Sequence, residues 1–128
     1  MKPLIEFVWE DGADQSLGLP KYATPGAAGA DLRANIKNRS DMIMEAGTRA
    51  LISTGLHLAI AKGFEVQIRP RSGLALKHGI TLANAPGTID CDYRGPLGVI
   101  LLNVSSDAFT VSHLSLIHIS EPTRRSAI

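Results

Sequence analysis

An all-β domain, a jelly roll or β-sandwich with one short helix, is the fold class this 128-residue sequence predicts, and three observations predict it. Gly (12) and Pro (7) together make about one residue in seven, a density of turn chemistry that suits many short strands better than long helices. Apolar residues alternate, or run for a few positions, between those turns. No long amphipathic period and no internal repeat interrupts that style. The length is that of one compact domain. With 45% hydrophobic against 20% charged residues, the chain is too apolar for a disordered one.

The elements follow in order. Leu4, Ile5, Phe7 and Val8, interrupted by Glu6, start an edge strand. Thr48 to Ile60 carries two strand-like stretches, the second setting Leu56, Leu58 and Ile60 against His57 and Ala59. Phe64, Val66 and Ile68 face one way and Glu65, Gln67 and Arg69 the other, a period of two. Gly73 to His78 reads as one or two helical turns stopped by Gly79. Leu97 to Val104 is apolar at successive positions, which predicts a central strand buried on both faces, and Ala108 to His113 reads as one more short strand.

Charge and cysteine content narrow the function classes. Thirteen basic against twelve acidic residues leave +1, which gives no field for non-specific nucleic-acid binding and no polybasic membrane anchor. A single Cys excludes an intrachain disulfide framework and a thiolate-rich zinc site. No apolar run reaches the length of a membrane span and no signal peptide opens the chain, so the expected location is the reducing cytoplasm. His57, His78, His113 and His118 show no metal-ligand pairing at helical spacing, and each reads as a solvated or satisfied histidine.

Three glycine-flanked polar segments can carry chemistry. Pro25 to Arg33 is rich in small residues and delivers one carboxylate, Asp31, at a strand start; taken alone, a tight turn with a surface Asp is its plainer reading. In Arg69-Pro70-Arg71-Ser72-Gly73-Leu74-Ala75 an extended backbone puts both arginines on one face. Ser72 and Gly73 then open the helical turn, where N–H groups and a hydroxyl can hold a phosphate. An N-cap serine beside solvated arginines is the plainer alternative. In Asn84 to Gly95, Asp90 and Asp92 share a face of an extended segment, and a carboxylate there can act as a general base or bind a divalent ion. Asn84 offers the donor and acceptor that reading a base edge requires, and Tyr93 a flat face for a sugar. A hairpin with hydrophilic turn residues is the alternative, and Cys91 reads as a small buried side chain.

Taken together the three segments resemble the dUTP diphosphatase (dUTPase) family. Its first motif is similar to residues 22–34, its second to residues 70–75, and its third to residues 87–95 with Asn84 just upstream. Their order and spacing over residues 1–113 make the match specific, where any single motif would be weak. The resemblance implies a homotrimeric jelly roll that hydrolyses dUTP to dUMP and pyrophosphate with Mg2+, each active site assembled from several subunits. It implies Asp90 as the base that activates water and as a contact to the 3′-OH side of the deoxyribose. Tyr93 would pack under the sugar and exclude a 2′-OH. Asn84 and the strand backbone around Thr88, Ile89 and Gly98 would bind uracil. Arg71, Ser72 and Gly73 would hold the phosphates, with Asp31 supporting the polar network beside them. The metal would be carried mainly on the phosphates and water, so no residue is named as its ligand.

The resemblance stops after His113. The family's fourth motif, roughly Gly-Asp/Glu-Arg-Ile-Ala-Gln at the start of another strand, is expected there, and the chain runs Leu114-Ser115-Leu116-Ile117-His118 instead. The fifth motif, a glycine-rich arm that closes over a neighbour's site, does not follow. Leu114 to Arg124 resembles a sequencing adapter translated in frame. The expected organisation is a dUTPase-like domain over residues 1–113 with its C-terminal strands truncated, and a non-family read-through tail over 114–128. Two consequences are expected: poorly covered apolar faces at Leu101 and Val111 with reduced stability, and weak or absent turnover. Two other readings stand beside the hydrolase: a catalytically inactive nucleotide-binding trimer relic, and a dCTP deaminase. The deaminase shares the jelly roll but needs a Glu acid/base near the cytosine.

Overall fold

The computed structural model describes residues 5–124, with side chains described for residues 5–117. Two four-stranded antiparallel sheets enclose one core. The first runs β1 (Ile5–Trp9), β4 (Arg49–Ile60), β8 (Pro96–Asn103), β6 (Ile80–Leu82). The second runs β2 (Ala30–Arg33), β10 (Leu116–Arg124), β5 (Phe64–Pro70), β7 (Gly87–Ile89), and a two-stranded ribbon joins β3 (Met42–Met44) to β9 (Phe109–Val111). The sandwich predicted from turn density is the one observed. Leu32, Ile52, Val66, Val99, Val111 and Ile117, drawn from all three sheets, are each at most 2% exposed and belong to a single core cluster. Each such side chain contributes about 1.5–3 kcal/mol when fully buried.

β1 is an edge strand as expected; Leu4, which the alternation included, lies outside the described residues. The two stretches read between Thr48 and Ile60 are one twelve-residue strand, β4, whose register against β8 shifts between Ser53 and Leu56. Gly55 sits inside that irregularity at φ 71, and a Cβ there would lie 2.9 Å from Asn35 Cγ. Positive φ and the close approach both require glycine. The helix α1 runs Ser72–His78 and ends on Gly79 at φ 65, whose N–H returns to the carbonyls of Ala75 and Leu74.

Three expectations are corrected. β8 is buried on one face only: Leu97, Val99 and Leu101 point into the core, while Gly98, Ile100 and Leu102 are half-buried. Leu101 and Val111 are 0% and 1% exposed, so they are not left uncovered. The cause is β10, which enters the second sheet between β2 and β5 and places Ile117, 2% exposed, in their cluster. Cys91 is only half-buried, packed against the margin of the core. Among the described residues no helix is long and apolar enough to cross a membrane.

Candidate active site

The third polar segment links the two sheets. β7 ladders with β5 in the second sheet, and β8 ladders with β4 and β6 in the first. The chain between them therefore crosses the sandwich and does not form a two-stranded hairpin. On one side of β8, β6 pairs only along residues 101–103, followed by Ala83 N–H to Ile100 O at 3.0 Å. Beyond that point, at residues 96–99, no strand of the described chain continues on that edge of β8. A cavity of about 440 Å³ opens there, lined by Asn84, Gly87, Thr88, Ile89, Tyr93 and Gly98 among others, over an apolar floor that includes Leu82 and Val99. This volume lies in the range of small-molecule sites. Five of the predicted substrate-binding residues thus come together.

Two glycines shape this cavity by what they leave out. A Cβ on Gly98 would lie 2.6 Å from Leu51 Cδ1, and a Cβ on Gly95 would lie 2.7 Å from Tyr93 Cζ. The Tyr93 ring folds over Gly95 and its hydroxyl donates to Pro96 O at 2.8 Å. Tyr93 as a whole remains 43% exposed. Asn84 is exposed, and the Ala85–Pro86 peptide that follows it is cis.

Asp90 is placed differently from the sequence reading. The stretch from Asp90 to Asp92 is a turn, not an extended segment, closed by Tyr93 N–H to Asp90 O at 3.1 Å. Asp90 directly follows the lining residue Ile89 and is exposed, without being part of the cavity wall. Arg71, Ser72 and Gly73 lie outside this cavity as well. The N-cap of α1 is Arg71, in extended geometry and without a side-chain cap, so the N-cap serine alternative does not hold. Arg69 donates to Gln67 Oε1 at 3.0 Å along its own strand.

Asp31 lines a second cavity of about 170 Å³ with Lys21, Arg33, Asn35, Asp14 and Trp9. Its backbone is tied through β10 to the strand that leads into the second motif: Ile119 is the register partner of Asp31 on one side and of Arg69 on the other. A cluster that sequence reasoning missed borders this cavity. His113 Nδ1 accepts the Ile36 N–H at 3.0 Å, so the other ring nitrogen carries the proton and donates to Asp14 Oδ2 at 2.9 Å. Arg39 Nε reaches the same oxygen at 3.2 Å, and the Ser16 N–H donates to Asp14 Oδ1 at 3.0 Å. The His113 bond above all, with Ser16 and then Arg39, holds the Asp14 carboxyl well below the usual carboxylate range. Ninety-nine positions separate the two residues, and no local motif announces such a pair.

Among the described residues no three His, Cys, Asp or Glu side chains converge as a metal cage. The hard donors stand apart, Asp31 at one cavity and Asp90 beside the other. That donor set suits a small divalent ion that keeps its waters and takes most of its ligands from phosphate oxygens.

Comparison with known proteins agrees with the geometry. The dUTPase family model matches residues 15–117. A deoxyuridine 5′-triphosphate nucleotidohydrolase of Roseobacter denitrificans is 58% identical over 109 residues, covering 85% of this chain and 71% of that protein. The protein of the same name from Desulfotalea psychrophila is 51% identical over 114 residues, covering 88% and 75%. A dUTPase structure from Streptococcus mutans superposes with a TM-score of 0.84 at 25% identity over 95% of this chain and 97% of that one. A phage phi11 dUTPase described with a structural Mg(II) ion superposes at 0.83 with 14% identity over 98% and 93%, a likeness of fold alone. With its first and third motifs on the walls of two cavities and a family match over most of its length, the chain belongs to the dUTPase family.

Proposed function

We propose that the 440 Å³ cavity beside the open edge of β8 takes the deoxyuridine of dUTP, which this protein hydrolyses to dUMP and pyrophosphate. One observation carries the reading: Asn84, Thr88, Ile89, Tyr93 and Gly98 line a single cavity in a chain of this family. Uracil presents donors and acceptors in one plane, and the backbone at the edge of β8 with the Asn84 amide answers them. The exposed face of Tyr93 supports the sugar and leaves no room for a 2′-OH. Asp90 accepts a proton from water as the water oxygen attacks the α-phosphorus in line. The bond from that phosphorus to the bridging oxygen breaks, and pyrophosphate leaves with the electron pair. A positioned base of this kind contributes on the order of 10²–10⁴-fold.

Arg71, with Ser72 and Gly73 at the start of α1, holds the phosphates, and Asp31 supports the polar surface beside them. Mg2+ would be held through the phosphates and water with a carboxylate near it, and when bound it neutralises charge on the departing pyrophosphate. Within one chain Arg71, Ser72 and Asp31 lie outside the Tyr93 cavity. That separation supports a homotrimer in which different subunits supply the two halves of each site. A cytoplasmic location rests on the lone cysteine. We read residues 114–128 as non-family sequence; the family match runs to residue 117, so it takes in the first four of them and supports that reading only beyond 117, and resequencing the source DNA across codons 110–128 tests it.

The test of the function is pyrophosphate release from dUTP with Mg2+, beside dUMP binding. Asp90→Asn is expected to abolish release while sparing dUMP binding. An unchanged rate removes Asp90 as the base, and binding without any turnover by the unaltered chain favours the inactive relic. Ammonia release from dCTP would point to the deaminase instead.

A further inference from the structure

The turn that carries Asp90 and Tyr93 meets the core only through the half-buried Cys91. Asp90, Asp92, Tyr93 and Arg94 are all exposed, so the conformation depends on hydrogen bonds that water can replace. Besides Tyr93 N–H to Asp90 O, three side-chain bonds converge on its carbonyls. Arg94 Nη1 donates to Cys91 O at 2.7 Å and to Tyr93 O at 3.0 Å. The Arg94 carbonyl in turn lies 2.9 Å from His57 Nδ1. A carbonyl only accepts, so Nδ1 carries the proton. His57 belongs to β4 and is the register partner of Pro96, which makes it an anchor on the rigid sheet at the point where the turn rejoins β8.

We propose that Arg94 and His57 are a positioning pair: the guanidinium closes the Asp90–Arg94 turn from inside, and His57 fastens that turn to β4, so that Tyr93 faces the cavity and Asp90 is held beside it. Arg94 thereby points its charge at backbone carbonyls and does not serve as a phosphate ligand. This inference rests on the deoxyuridine reading of the cavity. A misplacement of about 1 Å in a site of this kind costs on the order of 10²-fold.

The experiment uses the full chain, with Arg94→Met, His57→Leu and His57→Asn, the last keeping an amide N–H near the position of Nδ1. Two quantities are read: dUMP affinity by calorimetry, and hydrogen exchange of the Tyr93 amide, which needs no ligand. Arg94→Met is expected to weaken dUMP at least roughly tenfold and to speed Tyr93 exchange by a similar factor, with Tm nearly unchanged. His57→Leu moves both the same way and His57→Asn restores them. Unchanged exchange and affinity in Arg94→Met overturns the proposal, and so does faster exchange with dUMP affinity intact. If the unaltered chain fails to bind dUMP, the reading of the cavity falls, and the exchange of Tyr93 in the three variants decides the anchoring role alone.

Discussion

Leu114 sits in the turn just before β10, at φ 63, in the left-handed region that costs an L-residue about 1–2 kcal/mol. The turn cannot relax out of it easily. Leu114 N–H donates to Ala34 O at 2.7 Å, and its carbonyl accepts from Arg33 Nη1 at 2.9 Å. The family pattern has glycine at this point, directly after His113. Substituting glycine alone mixes two effects, because the half-buried leucine side chain is lost as well. Comparing Leu114→Gly with Leu114→Ala separates them, since both remove the side chain and only glycine removes the strain. Glycine recovers about 1–2 kcal/mol of strain and forfeits about 0.4–1 kcal/mol through the freer unfolded chain. Leu114→Gly should therefore exceed Leu114→Ala in stability by about 0.5–1 kcal/mol, roughly 2–4 °C in Tm for a chain of this size. At an ordinary strand position the order is reversed by a similar amount. Urea denaturation at matched protein concentration reads the difference as a shift in midpoint at constant slope. If the alanine variant is as stable as the glycine variant, the left-handed conformation at Leu114 is wrong, and with it the start of β10.

Ile117→Ala should destabilise by about 2–5 kcal/mol, measured by the same unfolding curves; a loss below about 0.5 kcal/mol would show that β10 does not contribute to the core. The Asp14 carboxyl is held below its ordinary value of 3.8, so its contribution is complete above that pH and is lost as pH falls below it toward the folded-state value. The difference in Tm between the unaltered protein and Asp14→Asn should therefore be constant near pH 6 and shrink below about pH 4; a difference that persists undiminished at the lowest pH refutes the His113 contact.

What the sequence made legible is what is local. Each motif is contiguous, so turn chemistry placed the helix at residues 72–78 within one residue, and the period of two placed β5. β4 was split in the reading because Gly55 interrupts the alternation, and a glycine in a strand looks the same whether the strand ends or bulges. β8 was read as buried on both faces because Ile100 and Leu102 are as apolar as Val99 and Leu101. Hydrophobicity records only that a residue can be buried, and the face that the core covers is decided by strands far away in sequence. The same limit hid His113: its partners Asp14 and Ile36 come from other parts of the chain.

Tertiary placement also decides how the site residues combine. The sequence reading gathered Asp31, Ser72 and Asp90 into one site. In the single chain Asp31 lines its own cavity, Ser72 opens a helix elsewhere, and Asp90 stands outside the wall of the Tyr93 cavity. On the proposed reading the three motifs meet only between subunits of a homotrimer, because the fold of one chain holds them apart. β10 matters for the same reason. It is the strand whose register links Asp31 to Arg69, and its other neighbour β5 carries Ile68 of the Tyr93 cavity and pairs with β7, so a sequence change there reaches both cavities through the backbone. Damage at residues 114–124 should then lower dUMP affinity and dUTP turnover together, and a variant that loses turnover with dUMP affinity intact refutes this path through β5.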